Sequence, residues 1–343
     1  MASGDLLKKL FLGYTKRNDE SFRSAAMEII ADEQKKHHTL LAEELQRILS
    51  NGMQNGTAIE PHYDLSSLPK DRERQAILVE IRKAERYLTD IILSKENQKT
   101  VKEIMEEFRR GEILRSHGIN RRTRLLFCGP PGCGKTLLAE VIAAELGLPL
   151  LYTRFDTIVS SYLGETSANL RKVFDYATRG MWVVFFDEFD AIGKSRDDLS
   201  EHGELKRVIN SFLQLLDSFR GESLIIAATN HEHLLDVALW RRFDEILRLE
   251  RPSVHEIRTL LSKKLACIPH SQINPETISP RLKGLSHAEV ERVCYDAIRL
   301  CVLRDFSEVT SELFEESLKK EKERLKIIRT ADKRVKNSFK ESR

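Results

Sequence analysis

RLLFCGPPGCGKT, residues 124–136, runs from a short apolar segment into a glycine-rich loop, and TLLAEVIAAEL, 136–146, leaves that loop with the spacing of a helix. The segment GPPGCGKT, Gly129 to Thr136, fits the phosphate-binding pattern G-x-x-x-x-G-K-[ST]. Glycines let successive backbone N–H groups curl around an anion without Cβ clashes. The start of the following helix adds partial positive charge. Lys135 is expected to neutralise β- and γ-phosphates, and Thr136 to offer its hydroxyl to Mg²⁺. The nucleotide-binding stretch is therefore Gly129, Pro130, Pro131, Gly132, Cys133, Gly134, Lys135, Thr136 and Leu137. The alternative is a structural turn, against which the strand before and the helix after both argue.

Working outward, five apolar runs alternate with helix-period segments: RLLFC (124–128), PLLYT (149–153), WVVFF (182–186), SLIIAA (223–228) and EILRL (245–249). That alternation predicts an α/β fold, a parallel sheet covered on both faces by helices. In WVVFFDEFD the strand ends at Phe186 and delivers Asp187 and Glu188 to the carboxyl edge, where open α/β sheets bind ligands. Asp187 can hold Mg²⁺ through water, and Glu188 can polarise an attacking water. Asp190 reads equally well as structural. SLIIAATN ends in Asn230, whose amide can donate and accept at once and so orient the water; otherwise it is a turn residue. In ALWRRFDEI, Arg241 and Arg242 are either surface residues or groups that stabilise charge at a neighbouring subunit's γ-phosphate.

With 343 residues, about 150 per domain suggests two domains and an extra segment. A composition of 41% apolar and 32% charged residues excludes a mostly disordered chain. The 56 basic and 53 acidic side chains leave +3, which argues neither for nor against a nucleic-acid partner. Apolar runs fall far short of the ~20 residues of a membrane helix, so no membrane partner is expected. MASGDLLKKLFLGYTK lacks the pattern of a secretory signal, so a cytoplasmic protein is expected. The five cysteines show no CxxC spacing; buried thiols are expected rather than a zinc site or disulfide framework.

The texture divides the chain further. Residues 1–50 read as a helical domain, with Phe22, Ala25, Ala26, Ile29 and Ile30 at helical spacing. Residues 51–72 read as a linker, 73–112 as a helical connector, 113–251 as the α/β domain and 252–327 as a helical lid. Capping boxes at Ser253/Glu256 and Ser286/Glu289 mark helix starts in the lid. Residues 328–343 read as a basic tail; from 319 to 343 there are 11 Lys/Arg against 4 Asp/Glu. That end is either a solvated helix trailing into a flexible tail or an electrostatic arm for nucleic acid or an acidic partner.

In combination, GPPGCGKT, FFDEFDAIGKSRDD, IIAATN and LLDVALWRRFDEI resemble the AAA family, the ATPases associated with diverse cellular activities. The resemblance runs from about Ile113 to Leu325, roughly three fifths of the chain. It implies a homo-oligomeric, hexameric ring with ATP and Mg²⁺ between subunits, Asn230 as the water-positioning sensor, and Arg241 and Arg242 as the arginine-finger region. Family members commonly space two finger arginines apart and end in Gly-Arg-Phe-Asp, whereas this chain has Trp240-Arg241-Arg242-Phe243-Asp244, so Arg242 matches best. DTIVSSYLGETSANL resembles the pore loop, with Tyr162 gripping a threaded polypeptide and Leu163 and Gly164 beside it; the alternative is a core tyrosine. LSHAEVE resembles the lid stretch near adenine and ribose; Ala288 carries over, while His287 replaces the family's glycine. Gly118 and Ile119 fall where the family lines the adenine pocket. The N-terminal arrangement resembles a bacterial group associated with subtilisin-like serine proteases and antiviral defence; no protease motif stands in this chain. The resemblance thus implies ATP-driven remodelling or threading of a protein substrate, with a nucleic-acid motor or loader and a nucleotide-switched scaffold as the alternatives.

Overall fold

The computed structural model describes residues 19–35, 68–71, 75–158, 163–189, 201–232, 237–270 and 273–341, with a few isolated positions before residue 13. The chain divides into two units, Met1–Ser67 and Leu68–Arg343. In the first, helix α1 (Asp19–Lys35) buries Ala25 and Ile30 and leaves Met27 exposed, as one apolar stripe on a helix requires. The helix expected over HHTLLAEELQRIL and most of the expected linker lie outside the described residues.

The second unit is built on a six-stranded sheet. Its strands are β1 (Glu80–Arg82), β2 (Arg124–Cys128), β3 (Leu150–Arg154), β4 (Val183–Asp187), β5 (Leu224–Thr229) and β6 (Glu245–Arg248), in the order β1-β3-β4-β5-β2-β6. All pairs are parallel except β1 on β3. The five expected strands form within a residue or so of their apolar runs. Strand β1 corrects the reading of 73–112 as wholly helical. Ile77, Leu78, Val79 and Ile81 suit a strand as well as a helix, and the open edge of β3 decides, pairing Glu80 with Tyr152 and Arg82 with Leu150.

Helices follow the strands: α2 (Lys95–Arg109), α3 (Gly111–Ser116), α4 (Lys135–Leu146), α5 (Phe155–Ile158), α6 (Leu163–Ala177), α7 (Glu201–Ser218) and α8 (Val237–Trp240). Strand alternation sends Leu125, Phe127, Val183, Phe185, Ile226 and Ala228 to one face, where they pack with Val101 and Ile104 of α2 and Leu138 and Ile142 of α4. Phe186 faces the other way into an aromatic cluster, with Phe155 and Phe189 at 5.0 Å and Phe189 and Phe212 at 4.7 Å between ring centroids.

The lid has its own core. Helices α9 (Val254–Leu265), α10 (Pro275–Ile278), α11 (His287–Leu303) and α12 (Ser311–Glu341) bury Leu261, Leu265, Val290, Cys294, Phe314 and Leu318. Both expected capping boxes form, at Ser253/Glu256 and Ser286/Glu289. Helix α12 runs on to Glu341 through most of the residues read as a basic tail, and nothing from 311 to 341 is Gly or Pro to interrupt it. All five cysteines are free; four are buried as expected, but Cys267 is exposed. No helix among the described residues is long and apolar enough to cross a membrane.

Candidate active site

The phosphate loop occupies the six residues between the end of β2 at Cys128 and the start of α4 at Lys135. The first turn of α4 carries no acidic side chain, so its positive end stays uncompensated for an anion. Gly129 has φ +139°, and a Cβ there would stand 2.0 Å from the Leu249 carbonyl oxygen, so only glycine lets the loop pass the end of β6. Gly132 has φ +75°, and its Cβ would meet Ser286 Oγ at 2.8 Å. Lys135 is buried and donates to the carbonyls of Gly129 at 2.8 Å and Pro130 at 2.9 Å, which puts a fixed positive charge inside the loop. Burial pushes the Cys133 thiol upward in pKa, so it fills the loop as a neutral group.

The acidic half of the site lies next door. Asp187 Oδ2 accepts hydrogen bonds from the Thr136 hydroxyl at 3.1 Å and the Tyr152 phenol at 3.0 Å, and its Oδ1 accepts the Glu188 N–H at 2.9 Å. Glu188 has φ +52°, a left-handed conformation rare outside glycine and concentrated at functional sites. The turn is pinned by Phe189 N–H, which donates to the Ala228 carbonyl at 2.9 Å. Asn230 directly follows β5, whose last residue, Thr229, is in register with Cys128 at the mouth of the loop. Glu188 and Asn230 thus sit at the carboxyl ends of two neighbouring strands, both half-buried. A cradle that any Cβ would fill, a buried lysine and a hydroxyl–carboxylate pair of hard oxygens together fit a nucleotide polyphosphate with a divalent cation.

The lid reaches this loop. Ala288 N–H donates to the Gly132 carbonyl at 3.0 Å. Both ring nitrogens of His287 are buried without a hydrogen-bond partner among the described residues, and burial lowers its pKa, so the ring is neutral at pH 7. Ile91 approaches Gly134 and belongs to the sheet core, while Ile92 packs on the lid core. Ile91, Ile92 and Tyr152 were not legible as site residues; the only signal is an apolar triplet, Ile91–Leu93, ahead of the helix cap Ser94.

Gly118 and Ile119 are not brought to the loop, which corrects their expected place at the base. Helix α2 begins beside Arg248 at the end of β6 and ends beside Glu145 at the far end of α4. Its fifteen residues span about 22 Å at 1.5 Å each. Gly118 and Ile119 come after it, exposed, at the opposite edge of the sheet. Arg241 and Arg242 also stand at that opposite edge: Asp244 N–H donates to the carbonyl of Arg124, the first residue of β2. Both arginines are exposed, and Arg242 Nε pairs with Asp217 at 2.9 Å. Tyr162 and Asp190 lie outside the described residues, and Leu163 and Gly164 open α6.

Comparison with known proteins agrees with this geometry. The family model "ATPase family associated with various cellular activities (AAA)" matches residues 125–251. The chain is 44% identical to the AAA family ATPase y4kL of Sinorhizobium fredii, over 94% of this chain and 97% of that protein. It is 32% identical to the ATP-dependent zinc metalloprotease FtsH 3 of Sphaerobacter thermophilus, over 72% of this chain and 52% of that protein. It is 33% identical to the proteasome-activating nucleotidase of Methanospirillum hungatei, over 62% of this chain and 53% of that protein. Phosphate loop, acidic strand end and relatives agree, and the chain belongs to the AAA family of ATPases and is an ATP hydrolase.

Proposed function

We propose that this chain is one subunit of a homo-oligomeric, six-membered ring that spends ATP to remodel or thread a protein substrate. The observation that carries the ring is the opposed placement of Lys135 and Arg242. They lie at opposite ends of β2, whose five residues span about 17 Å at 3.3 Å each. An arginine there is out of reach of its own loop and suits the loop of an adjoining copy.

Within that reading each residue has a chemical task. Thr136 and Asp187 would hold Mg²⁺, which when bound would supply positive charge to the polyphosphate. Glu188 accepts a proton from the attacking water as its oxygen bonds to the γ-phosphorus and the bond to ADP breaks. Asn230 orients that water. Lys135 of the same copy and Arg242 of the adjoining one stabilise charge on the transferring phosphoryl group, with Arg241 beside Arg242. Ala288 and the lid close over the nucleotide.

A protein substrate is favoured by the similarity to a proteasome-activating nucleotidase and an ATP-dependent metalloprotease. Tyr162 would grip it, because an aromatic supplies apolar area with few rotamers to fix. A subtilisin-like protease partner and a part in antiviral defence rest on the resemblance of the N-terminal arrangement alone, and a place in the cytoplasm on the sequence pattern of the first residues. The test is ATP turnover with and without an unfolded protein. Stimulation that Tyr162→Ala abolishes while basal turnover persists is the expected result. Stimulation by single-stranded DNA and not by protein would replace this reading with a nucleic-acid motor, for which the basic end of α12 would be the docking arm.

A further inference from the structure

Asp187 is held by three donors, and one of them comes from outside the nucleotide-binding motifs. Thr136 belongs to the loop and Glu188 to the acidic strand end, but Tyr152 belongs to β3, where no motif falls. The register explains its reach. Arg154 pairs with Asp187 and Tyr152 with Phe185, so Tyr152 stands two residues back on the adjoining strand, a diagonal neighbour that a phenol can span. Its hydroxyl donates to Asp187 Oδ2 at 3.0 Å, on the same oxygen as Thr136.

The ring itself is braced. The Arg82 guanidinium carbon lies 3.5 Å from the centre of the Tyr152 ring. Arg82 in turn pairs with Glu80 at 2.9 Å and with Glu140 of α4 at 3.9 Å. The Phe185 ring packs against the phenol at 5.9 Å. A side chain held on its face and by its neighbours keeps its hydroxyl in one place, so the carboxylate it touches keeps one orientation.

We propose that Tyr152, braced by Arg82, is a positioning residue that sets how tightly the site takes its divalent cation. Mg²⁺ keeps most of its waters and is bound through one or two carboxylates plus substrate phosphates, so the aim of a single carboxylate carries much of its affinity. Thr136 can go on donating to Asp187 while its lone pairs face a cation. Tyr152 is the donor that ties the same oxygen to the sheet. Partners of metal ligands typically weigh ten- to a hundredfold in metal affinity. This inference rests on the nucleotide–Mg²⁺ reading of the site.

Tyr152→Phe keeps the ring and its contact with Arg82 and removes only the hydroxyl. The experiment measures affinity for a fluorescent ATP analogue, first in EDTA and then across a Mg²⁺ titration. For Tyr152→Phe the expected result is an unchanged affinity in EDTA and about a tenfold rise in the Mg²⁺ needed for half-maximal tightening. Arg82→Gln, which removes a cation–π contact worth about 0.5–1 kcal/mol, should move the same midpoint two- to fivefold. If the Tyr152→Phe titration overlays that of the unaltered protein, the proposal is overturned while the nucleotide reading stands. If affinity falls equally in EDTA and in Mg²⁺, Tyr152 only supports the fold, and the proposal is again overturned. If the unaltered protein binds no nucleotide, or binds it without regard to Mg²⁺, the underlying reading fails and this inference fails with it.

Discussion

The backbone N–H of Ala288 donates to the carbonyl of Gly132 at 3.0 Å, so the first turn of α11 rests directly on the phosphate loop. Lid and loop are therefore one mechanical contact. Gly132 permits it twice over, by its positive φ and by the space its missing Cβ leaves for Ser286.

Gly132→Ala should break that contact. The new Cβ would lie 2.8 Å from Ser286 Oγ and 3.2 Å from Ala288 Cβ, on a backbone at φ +75°. Strain of this kind costs about 1–3 kcal/mol, which a lid can relieve by moving away from the loop. The expected outcome is at least a tenfold loss of ATP affinity with the lid still folded. Fluorescent-nucleotide binding checks the first part, and a lid–core proteolysis pattern checks the second.

Glu188→Gln and Lys135→Ala should separate binding from chemistry. Gln keeps the size of the side chain at φ +52° but cannot take a proton. Turnover should fall by about 10²–10⁴-fold while nucleotide stays bound. Lys135→Ala removes the buried cation held by Gly129 and Pro130 and should lose binding itself. Equilibrium dialysis with labelled ATP, beside phosphate-release rates, distinguishes the two.

The far edge of the sheet carries an acid-sensitive clamp. Arg122, just before β2, pairs with Glu107 of α2 at 2.5 Å and with Glu245 of β6. Burial raises the Glu107 pKa, but its side-chain and backbone hydrogen bonds from Arg122 outweigh that and hold it below 4.5. A depressed carboxylate contributes stability that is present above its unfolded pKa and lost as pH falls through the folded one. Glu107→Gln should thus cost about 1–2 kcal/mol at pH 7, below the full value of a charged hydrogen bond because the pair is partly solvated. The deficit should shrink as pH falls below about 4.5. Thermal melts of both proteins across pH 3–7 check the sign.

What could be read in advance follows from how local each signal is. The loop, Asp187 and five strands are written in short runs whose period and end residues carry their own physics. Strand β1 is three residues long and exists because β3 offers an edge, a fact that lies seventy positions away in the chain. Tyr152 looks like any aromatic in a buried strand until the register sets it diagonal to Asp187. Gly118 and Ile119 sit a few residues before β2, but closeness in sequence misleads because α2 has already carried the chain across the sheet. Asp217, the partner of Arg242, is another such pairing, made only when α7 returns to the start of β6.

That last pair bears on assembly. Arg242 and Asp217 are both nearly half exposed, and an exposed ion pair is worth only about 0–1 kcal/mol. The guanidinium can therefore leave Asp217 for a stronger anion at low cost, and a phosphoryl group on an adjoining copy is one. Arg242→Ala should lower turnover by 10³-fold or more, as loss of an arginine finger does, with little change in nucleotide affinity. Asp217→Asn should leave turnover intact or raise it slightly, since it frees the arginine. The decisive measurement mixes two inactive proteins, Arg242→Ala and Lys135→Ala. In a ring, some interfaces then join an intact loop to an intact arginine, and activity should return to a fraction set by the mixing ratio. If mixing restores nothing while each protein still assembles, Arg242 does not act across the interface. Specific activity should also rise with protein concentration, because a single copy holds its loop and its arginine at opposite ends of β2.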